Sequence, residues 1–156
     1  QVSPARHSDR TSKITMAAQS GVTVDDEVCR EFQAIKMKHV YSYIQMKISS
    51  EKTIVLDSVQ ENASFDDFVA QLPEKEGRYA VFDFPCKLDT GSDRKYLIFF
   101  QWCPDAAPVR TKMLFASSKD ALKKKLDGIY MEFQASELGD LKVEDVEAKI
   151  RSKART

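Results

Sequence analysis

Few side chains in this sequence of 156 residues have the types and spacing that enzyme catalysis requires. The two histidines are His7 and His39, and no serine or acidic residue forms a pattern that would make either one the base of a nucleophilic triad. Asp66 and Asp67 form a carboxylate pair, but adjacent residues of a helix point in different directions. Asp67 is better placed to cap that helix. We therefore predict that the chain is not an enzyme.

The cysteines and glycines give no sign of a metal, cofactor or nucleotide site. Cys29, Cys86 and Cys103 are widely spaced and form no CxxC pair, so neither a zinc site nor a disulfide framework is indicated. They are typical of reduced, mostly buried thiols in a cytosolic protein. The five glycines form neither a G-x-G-x-x-G pattern nor a phosphate loop. We predict no metal and no cofactor.

The charges are balanced overall but unevenly distributed along the chain. Basic and acidic residues number 24 each, and a net charge of zero argues against non-specific binding of nucleic acid, which depends on excess positive charge. The stretch Asp57–Glu76 is mostly acidic, whereas Arg110–Lys125 is mostly basic. A neutral chain can therefore carry a charged binding patch.

The basic segment Val109–Lys125 has the composition of a binding surface. A solvated helix face is the ordinary explanation of its lysines, because Leu122 and Leu126 share one helical face and the lysines fall largely on the others. Two cations beside a thioether stand at the front of the segment: Arg110, Lys112 and Met113. That combination is typical of a contact with another protein.

The elements that position this segment begin with a helix and two strands. Thr23, followed by three acidic residues, predicts the cap of a helix from about Asp25 to Lys38. Alternating residues then predict a half-buried strand at Tyr43–Ile48. A turn and a β-branched run at Thr53–Leu56 predict a strand that pairs back as a hairpin.

A second helix and two central strands follow. Ser64, with Asp67 three residues later, resembles a capping box, and Pro73 ends the helix that it begins. The apolar runs Arg78–Phe84 and Tyr96–Trp102 are continuous rather than alternating. They predict strands in the middle of a sheet, covered on both faces.

The basic segment itself allows two conformations. Ser117 and Asp120 resemble another capping box, so propensity begins a helix at Ser117 and leaves Met113–Ala116 as a strand. The alternative is a helix that is interrupted or bent at the two serines. Gly128 is expected to close this helix.

The end of the chain completes the predicted fold. A last strand is expected at Ile129–Phe133, and a C-terminal helix contains Val143, Val146 and Ile150. The order α-β-β-α-β-β-α-β-α predicts an α/β fold with a mixed sheet flanked by helices on both faces. We expect Gln1–Thr15 to be a disordered leader or upstream extension, and residues 16–156 to form a single domain.

Several stretches of the sequence occur together, in this order, in one protein family. They are Arg78–Phe84, Trp102–Asp105, Val109–Met113 with Ala116–Asp120, and Leu126–Ile129 with Glu132–Ala135. These stretches resemble the actin-depolymerising factor/cofilin family, and its short plant-type members most of all. The resemblance runs from about Ser20 to the C-terminus. It implies a five-stranded mixed sheet between helices, and one long bent helix that begins near Val109.

The resemblance also implies a function and a partner. A member of this family binds monomeric and filamentous actin and promotes severing and depolymerisation of filaments. The positions that match its main actin-binding surface are Ser20, Gly21, Val22, Arg110, Lys112, Met113, Ser117, Ser118 and Asp120. The positions that match its filament-specific surface are Arg94, Lys95, Glu147, Lys149 and Arg151.

Regulation is implied by the same resemblance. Ser20 matches a serine whose phosphorylation, by a regulatory kinase and reversed by a phosphatase, blocks actin binding through added charge. Phosphoinositide lipids are expected to compete for a basic set: Arg110, Lys112, Lys123, Lys124 and Lys125. We expect a cytoplasmic monomer on the actin cytoskeleton, with nuclear entry possible. Two rivals remain open: a membrane-surface module that reads phosphoinositides, and an actin binder that sequesters monomers without severing.

Overall fold

The computed structural model describes residues 21–50 and 52–155. In this part of the chain a six-stranded sheet is flanked by four α-helices. The strands are β1 (Thr23–Val24), β2 (Tyr43–Ile48), β3 (Thr53–Gln60), β4 (Arg78–Lys87), β5 (Asp93–Trp102) and β6 (Met131–Ala135). The helices are α1 (Asp26–Lys38), α2 (Phe65–Ala70), α3 (Val109–Lys123) and α4 (Val143–Ala154). The expected leader Gln1–Thr15 lies outside the described residues.

The strand order is β1-β3-β2-β4-β5-β6, one strand more than the five expected. The additional strand is β1, which pairs in parallel with Thr53 and Ile54 at the start of β3. Thr23 was expected to cap a helix, but its main-chain N–H instead donates to the carbonyl of Lys52 at 3.1 Å. The helix α1 therefore starts at Asp26, with Asp25 in an extended conformation before it. Two β-branched residues suit this extended start.

The prediction that the two apolar strands lie inside the sheet is confirmed. Strands β4 and β5 pair antiparallel over ten residues each, from Arg78 opposite Trp102 to Lys87 opposite Asp93. On one face their side chains pack under α2 and α4, in a cluster that includes Phe65, Phe82, Phe100 and Val146. On the other face they pack under α1 and α3, in a cluster that includes Phe32, Tyr79, Phe99 and Phe115. The sheet is thus covered by helices on both faces, as the sequence predicted.

The strand that local propensity gives at Met113–Ala116 is wrong, whereas the long helix from near Val109 that the resemblance implies is confirmed, because these residues lie inside α3. Phe115 and Leu122 are buried on the same side of this helix, against the sheet, and this packing outweighs local propensity. Ser117 does not cap a helix either. Its hydroxyl donates to the carbonyl of Leu114 at 3.2 Å, within α3, an arrangement that often bends a helix. The helix ends at Lys123, well before Gly128.

The other local predictions agree closely with the structure. Ser64 and Asp67 form the predicted reciprocal capping box at the start of α2. The C-terminal helix α4 buries Val146 and Ile150 as expected. The last strand was expected at Ile129–Phe133 and is observed two residues later, as β6.

Candidate functional site

The outer face of α3 presents apolar and polar side chains to solvent at its first three turns. Val109 is 69% exposed and Met113 is 67% exposed, which is unusual for side chains of this size and polarity. Exposed polar residues continue this stripe along the helix: Arg110, Ser117 and Asp120. We call these residues, together with Lys112, the α3 face. Val109, Met113, Ser117 and Asp120 are spaced by three or four residues, which places them on one side of the helix, and Arg110 and Lys112 flank this stripe.

The opposite side of α3 is fixed firmly to the sheet. The hydroxyl group of Tyr79 on β4 donates a hydrogen bond to the main-chain carbonyl of Phe115. Burial raises the pKa of the Tyr79 hydroxyl, so it remains protonated and able to donate. Gly77 allows the ring of Phe115 to approach closely, because a Cβ atom there would lie only 2.7 Å from that ring. The α3 face is therefore carried by a rigid support.

The first turn of α3 is electrically positive. Arg110 and Lys112 form no ion pair within residues 21–50 and 52–155, and the first turn contains no acidic residue. Pro108 at the N-cap offers no side-chain hydrogen bond, so the positive end of the helix dipole is uncompensated by a cap. The positive charge of Lys112 also affects the nearby Cys103 thiol. Burial raises the pKa of this thiol, and the charge of Lys112 partly opposes that rise. This end of the helix is suited to an acidic surface.

The start of the described chain lies beside α3, because β1 contacts this helix. Gly21 is exposed and has a φ of 72°, a left-handed conformation that glycine adopts readily. Val22 is 1% exposed and belongs to the core under α1 and α3, so its side chain is not presented to a partner. This corrects its assignment as a contact residue. Ser20, the predicted phosphorylation site, lies outside the described residues.

Ser118 is also corrected as a direct contact. Its side chain is fully buried on the inner side of α3, and its hydroxyl has no hydrogen-bond partner among the described residues. A buried side chain cannot touch another protein while the helix stays in place. Its neighbours Ser117 and Asp120 are exposed and can do so.

The lysines at the end of α3 are not all available to a ligand. Lys119 binds Glu132 of β6 through a 2.8 Å contact, and Lys123 binds the other oxygen of the same carboxylate. Burial alone raises the pKa of the Glu132 carboxyl, but the hydrogen bonds from the two lysines outweigh it and lower this pKa. Lys124 and Lys125 are exposed. Glu132 was not predicted from the sequence, although an acidic residue in a strand that follows a run of lysines was a signal for it.

The positions predicted for a filament-specific surface lie on two neighbouring elements. Arg94 and Lys95 are exposed on β5 near the β4–β5 turn. On α4 the ammonium group of Lys149 lies 5.2 Å from the centre of the Phe133 ring. Arg151 donates to the main-chain carbonyl of Lys87 on β4 at 2.8 Å.

An additional contact, not predicted from the sequence, holds α4 against the β4–β5 turn. The guanidinium of Arg155 lies 2.6 Å from the carboxylate of Asp89. The hydrogen bond from Arg155 lowers the pKa of the Asp89 carboxyl. Glu147 lies 4.0 Å from Arg151 on the same helix. The turn and α4 therefore lie side by side, although the sequence separates them by about 60 residues.

Comparison with known proteins identifies the family. The sequence pattern of cofilin/tropomyosin-type actin-binding proteins matches residues 21–151. The chain belongs to the actin-depolymerising factor/cofilin family. The cofilin of Yarrowia lipolytica is 42% identical over 137 residues, covering 86% of this chain and 89% of that protein. Actin-depolymerizing factor 6 of Oryza sativa subsp. japonica is 40% identical over 132 residues, covering 83% and 95%.

The fold agrees with this family. The crystal structure of Streptomyces griseoflavus cofilin superposes with a TM-score of 0.75 at 33% identity, covering 82% of this chain and 96% of that one. Members of the actin-depolymerising factor/cofilin family are actin-binding proteins. The matched residues include all of α3, the β4–β5 turn and α4 as far as Arg151.

The described residues offer neither a metal-binding cluster nor a membrane-spanning helix. No group of three or more histidine, cysteine, aspartate or glutamate side chains there could hold a metal ion. Among the helices in the same part of the chain, none is long and apolar enough to cross a membrane.

Proposed function

We propose that this member of the actin-depolymerising factor/cofilin family binds actin monomers and filaments, and promotes severing and depolymerisation of filaments. The observation that carries the proposal is the α3 face, where Val109 and Met113 are exposed beside the unpaired charges of Arg110 and Lys112. Exposed apolar side chains with cations at the rim are typical of a protein interface. The rigid attachment of α3 reduces the entropy lost on binding.

Severing requires no reactive group in this mechanism. A protein that binds one filament twist better than another shifts the filament toward that twist, by no more than the difference between its two affinities. Boundaries between decorated and bare stretches of filament are then mechanically mismatched.

A second surface for filaments is supported by the juxtaposition of the β4–β5 turn with α4. Arg94, Lys95 and Lys149 are exposed cations there, and the turn is held to α4 by Arg151 and Arg155. One protein can span two actin subunits of a filament only if it has two separate binding surfaces. The α3 face and the turn supply them.

Regulation forms part of the same proposal. Phosphorylation of Ser20 would add negative charge directly before Gly21 in the chain, and added charge of this sign at the interface would repel an acidic partner. Phosphoinositides would bind through Arg110, Lys112, Lys124 and Lys125, with Lys123 contributing less because it is paired with Glu132. The protein would act in the cytoplasm on the actin cytoskeleton.

The deciding experiment is co-sedimentation with actin filaments, followed by imaging of filament length over time. Binding accompanied by an increased number of filament ends would support severing. Binding to monomers without shortening of filaments would instead support a sequestering protein, and binding to phosphoinositide vesicles alone would support a membrane-surface module.

Substitutions of Arg94→Ala and Lys149→Ala test the second surface. We expect each to weaken filament binding about three- to tenfold while monomer affinity changes less than about twofold, as for the loss of one charge-assisted contact. Equal losses for monomers and filaments would contradict a filament-specific surface.

A further inference from the structure

A small polar cavity lies at the end of α1, apart from the α3 face. Its volume is about 160 Å³, and its walls include His39, Ser42, Asn62, Asp83 and Lys95. None of these residues except Lys95 was predicted to take part in binding.

The cavity lies at the edge of the molecule where α1 and α3 both end. The ammonium group of Lys36 near the end of α1 donates to the main-chain carbonyl of Asp127, just after α3, at 2.7 Å. Val109 and Met113 lie in the first turns of α3, so they are roughly 21 Å and 15 Å, respectively, from the end of this helix at Lys123. The cavity and the α3 face therefore cannot belong to one small contact.

An aspartate beneath the cavity orients the imidazole of His39. The carboxylate of Asp83 is buried, and its Oδ2 lies 2.7 Å from Nδ1 of His39. Since a carboxylate only accepts hydrogen bonds, Nδ1 must carry a proton. The other ring nitrogen, Nε2, has no partner among the described residues and is left for a ligand. Asp83 thus acts as a positioning residue for His39.

The remaining walls supply hydrogen-bond donors. Lys95 is exposed and forms no ion pair within the described part of the chain. The side-chain amide of Asn62 is likewise without a hydrogen-bond partner there. The Ser42 hydroxyl accepts a hydrogen bond from the N–H of Ala63 at 2.9 Å, so its own proton remains to be donated. The single carboxylate of the walls, that of Asp83, binds His39 through Oδ2, and its Oδ1 is buried without a hydrogen-bond partner among the described residues, out of reach of a ligand. A ligand with oxygen acceptors and negative charge therefore fits this cavity.

We propose that this cavity receives an acidic side chain of filamentous actin, and so extends the filament-specific surface from Lys95 to the end of α1. The proposal rests on the proposed function, because it assumes that Lys95 faces the filament. A volume of about 160 Å³ accommodates the end of an aspartate or glutamate side chain but is small for a lipid headgroup. Val40 is an exposed apolar residue of the cavity wall, and binding of actin here would bury its side chain.

The test exploits an unusual property of two wall residues. His39 and Asn62 have φ angles of 52° and 53°, which glycine adopts without strain. His39→Gly and Asn62→Gly therefore remove the side chain and keep the backbone. We expect each to weaken filament co-sedimentation about three- to tenfold, as for one charge-assisted or neutral hydrogen bond in a buried contact, with monomer affinity within about twofold. Lys52→Gly is the matched control, because Lys52 has a φ of 59° and lies outside the cavity.

The outcomes separate this inference from the proposed function. Wild-type protein that fails to bind filaments at all would contradict the proposed function itself. Filament binding that is normal in Asn62→Gly, or weakened equally in Lys52→Gly, would overturn the cavity as a contact site. Loss of phosphoinositide vesicle binding with normal filament binding in the cavity variants would overturn it in favour of a lipid ligand. His39→Gly leaves Asp83 without its donor and lowers stability, so Asn62→Gly decides if His39→Gly does not fold.

A measurement without actin provides a second test. The chain has two histidines, so the imidazole resonance of His7 serves as an internal reference for that of His39. Titration with acetate, at constant ionic strength made up with chloride, should shift the His39 resonance more than the His7 resonance. The difference should disappear in Asn62→Gly. Equal shifts of both resonances would contradict an oxyanion site.

Discussion

The two halves of α3 have similar basic compositions but differ in what their charges contact. In the first half, Arg110 and Lys112 form no ion pair among the described residues and stand beside the exposed Met113. In the second half, Lys119 and Lys123 share the carboxylate of Glu132. Charge in a sequence therefore does not by itself indicate an available binding group. A cation is available only where the fold leaves it without a partner.

The largest effect is expected from removal of a charge in the first half of α3. Lys112→Ala should weaken binding to monomeric actin by about 1.5–3 kcal/mol, or roughly tenfold to a hundredfold, through loss of a charge-assisted contact. Lys124→Ala, at the other end of the helix, is the matched control and should change monomer affinity less than about threefold. Fluorescence titration of labelled monomeric actin measures both. Similar losses in the two variants would remove the distinction between the halves.

The packing that holds the first half of α3 to the sheet can be weakened by a substitution at Gly77. Gly77→Ala would place a Cβ atom 2.7 Å from the Phe115 ring, so the ring and α3 must shift. We expect a loss of stability of about 1–3 kcal/mol, and a lower Tm by roughly 3–10 °C in a chain of this size. Gly139→Ala has no atom within 4 Å of the added carbon and serves as the control in thermal unfolding. An unchanged Tm in Gly77→Ala would show that α3 is more loosely held than the contacts indicate.

The ion pairs of the second half should be visible in the pH dependence of stability. The pKa of the Glu132 carboxyl is lowered in the folded protein, so its ionised form stabilises the fold above the ordinary value of 4.5. This contribution is lost as the pH falls through the lower pKa of the folded state. Glu132→Gln should therefore cost about 1 kcal/mol at pH 7, with the difference from wild type shrinking below pH 4.5. A difference that is constant between pH 7 and pH 3 would rule out this linkage.

The smallest effect is expected on the binding of phosphoinositide vesicles, where Lys124 and Lys123 should contribute differently. Exposed Lys124 should contribute about 1 kcal/mol to binding of vesicles that contain phosphoinositide, so Lys124→Ala weakens that binding about fivefold. Lys123→Ala should weaken it less, because Lys123 is already paired with Glu132. Vesicle flotation measures both variants. A greater loss in Lys123→Ala would mean that Glu132 releases this lysine to the lipid.

Local patterns were sufficient to predict much of the fold. The helix predicted at Asp25–Lys38 is α1, observed at Asp26–Lys38, and the reciprocal cap of Ser64 and Asp67 predicted the start of α2. These features depend on residues within one or two turns of each other. The apolar runs of β4 and β5 likewise indicated their interior positions.

Contacts between distant residues account for what could not be predicted. The strand β1 has two residues, and it exists only because it pairs with Thr53 and Ile54, thirty positions later. Met113–Ala116 has strand propensity, but the burial of Phe115 against the sheet stabilises a helix. For the candidate site, the resemblance to the family indicated which positions bind actin, but it did not indicate which of these side chains are exposed. Ser118 faces the core, whereas Ser117 beside it faces solvent.

The parallel pairing of β5 with β6 has a consequence for dynamics. Two adjacent parallel strands cannot be joined by a tight turn, and α3 forms the crossover between them. Opening α3 would therefore detach β6 and expose the apolar cluster beneath the helix. We expect the amide protons of α3 to exchange with solvent nearly as slowly as those of β4 and β5. We therefore expect α3 to unfold together with the central strands. A partially unfolded protein would then lose the α3 face completely.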